Sequence, residues 1–316
     1  MRYTKTVDYK KLRSKYDYIV GWGTSQKEYM RSYNPFMYKI DYMVNGNGEC
    51  IGEYFCGNLI YSPDILEGLK GKKVCVIIFA NMEYEIIPQI KDYIQDADTI
   101  VSRLVNIAEY EKSYSVDKED YIIYSVMKKM GYKDFSYMDI GVCHPVIRNN
   151  TYLFYENGNV NGVLVEPNPI MVEYANIYRP ENKIVSCGVC GGEDTSLKYY
   201  YNKNVPGHNT FVEEIAISRK IENNYYKIPV KNINKVIEEN FETYPDIVDI
   251  DTEGMDSQIL EALDFERFKI RMLCVEGSGI KLVKLLKDKG YVHFMSTFEN
   301  QIFILKSEFE KYNSKI

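Results

Sequence analysis

The stretch from Tyr137 to Pro169 constrains this chain more than any other. It begins Tyr-Met-Asp139-Ile-Gly141-Val-Cys143-His144-Pro145 and continues through Asn149-Asn150-Thr151-Tyr152-Leu-Phe154-Tyr155-Glu156. It closes on Gly162-Val-Leu-Val-Glu166-Pro167-Asn168-Pro169. An apolar-rich strand ends in an acid and a glycine, a helix-length segment follows, and a second strand ends in Glu166. This is one βαβ unit, with acids at the carboxyl ends of its strands, where open α/β sheets take their ligands. A carboxylate closing the second strand can accept both hydroxyls of a ribose. Gly141 lets the backbone approach a ligand with no Cβ in the way.

The glycine pattern then selects among nucleoside ligands. A dinucleotide site needs G-x-G-x-x-G, so that pyrophosphate can sit on a helix N-terminus. Here Gly141 is followed by Cys143, His144 and Pro145, and the phosphate cradle is missing. A ligand with a ribose but no phosphate fits better, and S-adenosylmethionine is the common one. A βαβ unit without any cofactor stays open as the alternative.

Composition sets the outer bounds. A chain of 316 residues has room for two domains, each with its own core. A net charge of −6 argues against nucleic-acid or membrane-surface binding, which calls for a basic patch. Seven scattered cysteines read as reduced thiols of a cytoplasmic protein, not as a disulfide framework. No apolar run approaches the ~20 residues of a membrane span, and the first residues lack the apolar core of a signal peptide.

Before the βαβ unit, strands and helices alternate as in a small parallel α/β domain. Tyr16–Val20 enters Gly21-Trp22-Gly23, Gln26–Tyr33 reads as helix, and Met37–Val44 is a strand carrying Asp41. Lys73–Ala80 is a buried strand by its unbroken apolar run. Asp41 follows Gly21 by 20 positions, the outline of a dinucleotide site, but Gln26 replaces the third glycine. Two readings stay open: a nicotinamide site of a sugar oxidoreductase, or a tight turn in a non-catalytic accessory domain.

Beyond it, Lys183–Cys187 reads as a third strand followed by a loop from Gly188. Cys187-x-x-Cys190 has the spacing of a redox or zinc pair but no second pair nearby. Gly207-His208-Asn209 is a polar loop suited to a polyhydroxyl substrate. Asp249, Asp251 and Glu253 fall on one side of a strand if it persists that far. Three such acids are costly to desolvate together, so they call for a cation, a sulfonium or a shared proton. Arg271–Gly277 is a further strand ending in an acid and a glycine, and Tyr291–Met295 with Gln301–Leu305 reads as a terminal hairpin.

Four ordered motifs, Asp139-Ile-Gly141-x-x-His144-Pro145, Asn150-Thr151-Tyr152-x-Phe154-Tyr155, Val165-Glu166-Pro167-Asn168-Pro169 and Asp249-Ile-Asp251-Thr-Glu253-Gly254-Met-Asp256, resemble the FkbM-type S-adenosylmethionine-dependent methyltransferases. The resemblance runs over roughly residues 115 to 305 and departs at Val142-Cys143, where that family often carries alanine and then histidine or asparagine. It implies an α/β fold: a C-terminal seven-stranded Rossmann-like methyltransferase domain over 113–316, closed by an antiparallel hairpin. A smaller N-terminal α/β Rossmann-like domain would occupy 1–112. The implied activity is O-methylation of a sugar or nucleotide-linked sugar bound for a surface or capsular polysaccharide. The cofactor would meet Asp139, Gly141, Glu166, Asn168, Cys187, Gly188 and Asp249, and Asp251 would face the acceptor.

His208 and His144 are candidate bases on pKa grounds. A sugar hydroxyl is far less acidic than imidazolium, so a divalent ion, magnesium or manganese, is expected to help. Asp251 and Glu276 would supply its oxygen ligands. The expected partners are a sugar or nucleotide-sugar acceptor and a second copy of the chain. A non-catalytic glycan-binding or scaffolding protein with a decayed cofactor fold is the remaining alternative.

Overall fold

The computed structural model describes residues 7–24, 40–55, 57–80, 83–101, 105–106, 112–277 and 279–314. Its contacts divide the chain into two compact units, one ending at Glu111 and the other running from Lys112 to Lys315. Among the described residues no helix is long and apolar enough to cross a membrane.

The first unit contains β1 (Val7–Asp8), α1 (Tyr9–Lys15), β2 (Tyr18–Trp22), β3 (Tyr42–Val44), β4 (Tyr54–Phe55), β5 (Asn58–Tyr61), β6 (Val74–Ile78), α2 (Glu83–Tyr93), β7 (Asp98–Val101) and β8 (Val105–Asn106). Six of the strands form one sheet in the order β4-β5-β3-β2-β6-β7, parallel except for the β4–β5 pair. All five residues of β6 are buried, as an unbroken apolar run in the middle of a parallel sheet requires. The helix expected over Gln26–Tyr33 and the start of the strand expected from Met37 lie outside the described residues.

The second unit begins with α3 (Glu119–Lys129), β9 (Tyr137–Ile140), α4 (Tyr152–Glu156), β10 (Gly162–Val165), α5 (Pro169–Tyr178) and β11 (Lys183–Val185). It continues with β12 (Gly188–Cys190), β13 (Thr195–Tyr200), α6 (Glu213–Ser218), β14 (Tyr225–Asn232), α7 (Ile233–Asn240) and β15 (Ile247–Ile250). Last come α8 (Asp256–Ala262), β16 (Met272–Glu276), α9 (Ile280–Asp288), β17 (Tyr291–Ser296), β18 (Asn300–Leu305) and α10 (Lys306–Ser314). The main sheet has seven strands in the order β11-β10-β9-β15-β16-β18-β17. The first five are parallel, and β18 runs antiparallel to both of its neighbours.

Period-two alternation gives this sheet two unlike faces. Met138, Ile140, Val248, Ile250, Leu273 and Val275 point into one hydrophobic core. The opposite face carries a polar row, because Asp139 pairs in register with Asp249, and Asp249 with Cys274. Above that row the helix-length segment between the two strands holds only the five helical residues of α4. The freed residues 141–151 form the loop over the strand ends.

One expectation changes. Lys183–Cys187 is not a single strand: β11 stops at Val185, and Gly188–Cys190 joins a second sheet of order β12-β14-β13. The change of sheet needs a glycine there. An added Cβ on Gly188 would lie 2.5 Å from the Phe211 ring and 2.8 Å from Val230.

Candidate active site

The parallel strands β9, β10 and β15 end at an open cleft enclosing about 620 Å³ of non-protein space. Of the residues singled out in the sequence, Gly141, Glu166, Asn168, Cys187, Gly188 and Asp251 line it together.

Backbone hydrogen bonds tie the strand ends to one another. The Gly141 amide donates to the Val165 carbonyl at 2.9 Å, and the Asp251 amide donates to the Ile140 carbonyl at 2.9 Å. Gly141 has φ +87°. A Cβ there would lie 1.7 Å from the Asp251 carbonyl oxygen, so only glycine lets the β9 and β15 exits close on each other.

Glu166 is 3% exposed. Its carboxylate accepts the Cys143 amide at 2.7 Å on one oxygen and the Asn168 amide at 2.7 Å on the other. Burial pushes its pKa up to about 7, against the lowering effect of those two amides. Asn168 also caps α5, its side-chain oxygen accepting the Ile170 amide at 3.1 Å. Cys143, whose role the sequence did not show, adopts φ +50° to present its amide to Glu166. Its thiol is pushed up to about 11, first by burial and then by Glu166.

Asp139 and Asp249 sit beneath the cleft and are not among its lining residues. Asp139 is enclosed by Thr151 Oγ1 at 2.5 Å, Asn149 Nδ2 at 3.1 Å and the guanidinium of Arg179 at 3.8 Å. Arg179 is wholly buried and also donates to Tyr137 Oη, Asn182 Oδ1, Asn149 Oδ1 and Thr151 Oγ1. Asp249 accepts from Asn150 at 3.2 Å, and burial together with the neighbouring Asp139 holds its pKa well above the usual range. The Asn149-Asn150-Thr151 motif thus straps the cleft loop onto the polar row of the sheet.

β15 ends at Ile250, so Asp251 and Glu253 do not extend the strand. Even so, carboxylate oxygens of Asp251, Glu253 and Glu276 lie within 4.8 Å of one another. Burial, followed by the nearby Glu253 charge, pushes Glu276 up to about 7. Asp251 is raised further, by burial and then by Glu276. Glu253 adopts φ +55° and is held from two sides. Thr210 donates to its carbonyl at 2.8 Å, and Arg219 reaches its carboxylate at 2.5 Å. Asp256 accepts the Thr252 and Gly254 amides at 2.9 and 3.2 Å.

Neither candidate histidine lines the cleft. His144 Nδ1 accepts the Val146 and Ile147 amides at 3.1 and 3.0 Å, which leaves the proton on Nε2. Its ring packs on Tyr174 and Tyr178, and burial lowers its pKa. His208 is exposed, although its neighbours Gly207 and Asn209 do line the cleft. Cys187 and Cys190 are free thiols, with Cys187 pushed up to about 11 by burial.

In the first unit Asp41 is already committed. Its Oδ2 accepts the Ile19 amide at 2.7 Å and pairs with Arg13 at 2.5 Å.

Five parallel strands closed by an antiparallel hairpin, with a buried acid ending the second strand of the βαβ unit, define a Rossmann-like methyltransferase domain. Residues 139–293 match the family model described as "Methyltransferase FkbM domain", and the chain therefore carries a domain of the FkbM methyltransferase family. Among solved structures, a methyltransferase FkbM from Methylobacillus flagellatus KT is similar over 93% of this chain and 92% of that one, at 10% identity and a TM-score of 0.34. A precorrin-6y C5,15-methyltransferase from Geobacter metallireducens GS-15 is similar over 62% of this chain and 90% of that one, at 14% identity and a TM-score of 0.32. No curated protein matches the sequence.

Proposed function

We propose that this protein transfers a methyl group from S-adenosylmethionine to a hydroxyl of a sugar or nucleotide-linked sugar. The observation that carries the cofactor assignment is the Glu166 carboxylate, buried, aimed into the cleft and fixed by two backbone amides. Each of its oxygens keeps a lone pair for a ribose hydroxyl. The fit extends to Gly141, which lines the cleft and whose missing Cβ lets the β9 and β15 exits close beneath the nucleoside. When bound, the cofactor supplies an electrophilic methyl on a sulfonium.

The protein's part is positioning and proton removal. Gly141, Glu166 and Asn168 would hold the nucleoside, with Cys187 and Gly188 on the adenine side. Asp139 and Asp249 would act from below, through the loop they anchor. Asp251, which lines the cleft beside Glu253 and Glu276, would take the acceptor's proton. His144 and His208 would need rearrangement to serve as the base. Asp251 and Glu276, with Glu253 close by, form an oxygen donor set suited to magnesium or manganese. A bound ion there would lower the hydroxyl's pKa.

Tyr199 and Phe211 on the cleft wall, with ring centroids 4.8 Å apart, support a sugar acceptor. The placing of that sugar in a surface polysaccharide, a cytoplasmic location and an accessory role for the first unit rest on the family resemblance and the composition. The test is calorimetric titration with S-adenosylhomocysteine and with NAD, on the wild type and on Glu166→Ala. Micromolar binding of S-adenosylhomocysteine, lost in the variant, is expected. Tight NAD binding that survives Glu166→Ala overturns the proposal in favour of an oxidoreductase.

A further inference from the structure

Helix α5 carries more apolar surface than it buries. Met171 and Ala175 are its buried side chains. On the adjoining face Ile170, Tyr174, Ile177 and Tyr178 recur at the i, i+4, i+7, i+8 spacing of a second apolar stripe, and all four are exposed, Ile170 by 57% and Ile177 by 63%. The stripe continues onto the cleft loop. The His144 ring lies 5.8 Å from the Tyr174 ring and 5.9 Å from the Tyr178 ring. Ile147, whose amide donates to His144, is 62% exposed. Glu173 is the single charged residue of the helix. Other helices of this unit present ordinary water-facing sides: α7 exposes Lys235, Glu238 and Glu239, and α9 exposes Lys281, Lys284 and Lys287.

The size and pattern of the stripe say what would cover it. Its five exposed residues present on the order of 600 Å² of surface, the top of the range for the largest apolar patch of a monomer and most of the ~800 Å² that each partner gives to a standard interface. A lipid surface is a poor match, because an interfacial helix carries Lys and Arg beside its apolar stripe and α5 has neither. A second copy of the same helix matches well. The stripe is symmetric about Tyr174, with Ile170 four positions before it and Tyr178 four positions after. In an antiparallel pair centred there, Ile170 faces Tyr178 of the partner subunit and the two copies of Tyr174 meet on the axis. Each contact is then made twice, as a twofold interface requires. At 100° per residue Glu173 falls on the edge of the stripe, so no charge is buried in the pair.

We infer that this protein forms a twofold dimer in which α5 packs antiparallel against α5 of a second copy, centred on Tyr174. The inference stands independently of the methyltransferase reading. The contact adjoins the cleft, since Asn168, which caps α5, and Cys143, which precedes His144, both line it.

The test is analytical ultracentrifugation of the full-length protein from micromolar to near-millimolar concentration. A dimer is expected at tens of micromolar. Ile177→Asp, at an exposed position, is expected to raise the dissociation constant at least tenfold with the circular dichroism spectrum unchanged. A short bis-maleimide reads the register. Tyr174→Cys is expected to give a cross-linked dimer well above the wild type's own level, whereas Ile280→Cys, at a position 85% exposed on α9, is not. Flotation with phosphatidylcholine vesicles is run in parallel, and no binding is expected.

A monomer at every concentration overturns the inference, and so does a dimer that Ile177→Asp leaves intact. A dimer in which Tyr174→Cys cross-links no better than Ile280→Cys overturns the antiparallel pairing. Vesicle binding that Ile177→Asp abolishes would assign the face to lipid instead.

Discussion

The α-hydrogen side of Gly141 faces the backbone carbonyl of Asp251 so closely that a methyl group there would sit 1.7 Å from the oxygen. Gly141→Ala must therefore push β9 and β15 apart at their exits, and it also strains φ +87°. A loss of about 2–4 kcal/mol in unfolding free energy is expected. Urea denaturation measures it. S-adenosylhomocysteine binding should fall more than tenfold even under conditions where the variant stays folded.

Glu166 carries a pH signature. Its pKa is raised in the folded protein to about 7 from an ordinary value of 4.5, chiefly by burial. A carboxyl raised in this way favours the fold while protonated. That contribution is complete below pH 4.5 and is lost as the pH rises through about 7. Glu166→Gln stays neutral, so its stability should decline less than the wild type's across that window, by roughly 3 kcal/mol at most. Ribose hydroxyls donate to the ionised form. Wild-type affinity for S-adenosylhomocysteine should therefore climb as the pH passes about 7 and then level off, as calorimetry at several pH values would show.

The Arg179–Asp139 pair is fully enclosed, 3.8 Å apart. Arg179→Met strands a carboxylate in the sheet's polar row, and a cost of about 3–5 kcal/mol is expected. Asp139→Asn in the Arg179→Met background should recover part of that loss, because it removes the stranded charge. A double-mutant cycle read by chemical denaturation measures the recovery, and strict additivity of the two single losses would contradict the pairing.

Chelation examines the acid cluster. With Asp251 and Glu276 holding a divalent ion, methyl transfer should drop at least tenfold on treatment with chelator and return on adding magnesium or manganese. Glu276→Gln should raise the concentration of metal needed for half activity. Full activity in chelator removes the ion from the mechanism and leaves Asp251 acting alone.

The sequence exposed those parts of the site that depend on local chain geometry. Gly141 and Glu166 could be picked out because a glycine and a strand end are properties of adjacent residues, whereas Asn168 entered through the family motif and its cap on α5 is seen only in the structure. Contacts that cross the fold were not visible. Arg179 lies 40 positions from Asp139, at the end of a helix, where an arginine ordinarily meets water. Arg219 meets Glu253 across 34 positions. The passage from the large sheet to the small one between Val185 and Gly188 was hidden by an apolar run that suits either sheet. His144 looked like a base by residue type. Only the two amides on Nδ1 show that its proton is fixed on the other nitrogen. Asn149-Asn150-Thr151 was legible as a motif, but its purpose as a strap emerges only with Asp139 and Asp249 beneath it.

The two sheets of the second unit also divide the labour of the cleft. Gly141 and Glu166 belong to the exits of the seven-stranded sheet, whereas Tyr199 and the loop through Asn209 hang from the three-stranded one. Among the described residues the strands β13 and β14 form ladders with each other and with β12, and Tyr200 bridges to Thr210. On the proposed assignment, a graft or lengthening at residues 201–209 would thus change the acceptor side, while Gly188 of β12 keeps the adenine side in contact with the same small sheet. If those roles hold, changes of acceptor in engineered or naturally diverged chains should concentrate in the connection between β13 and β14.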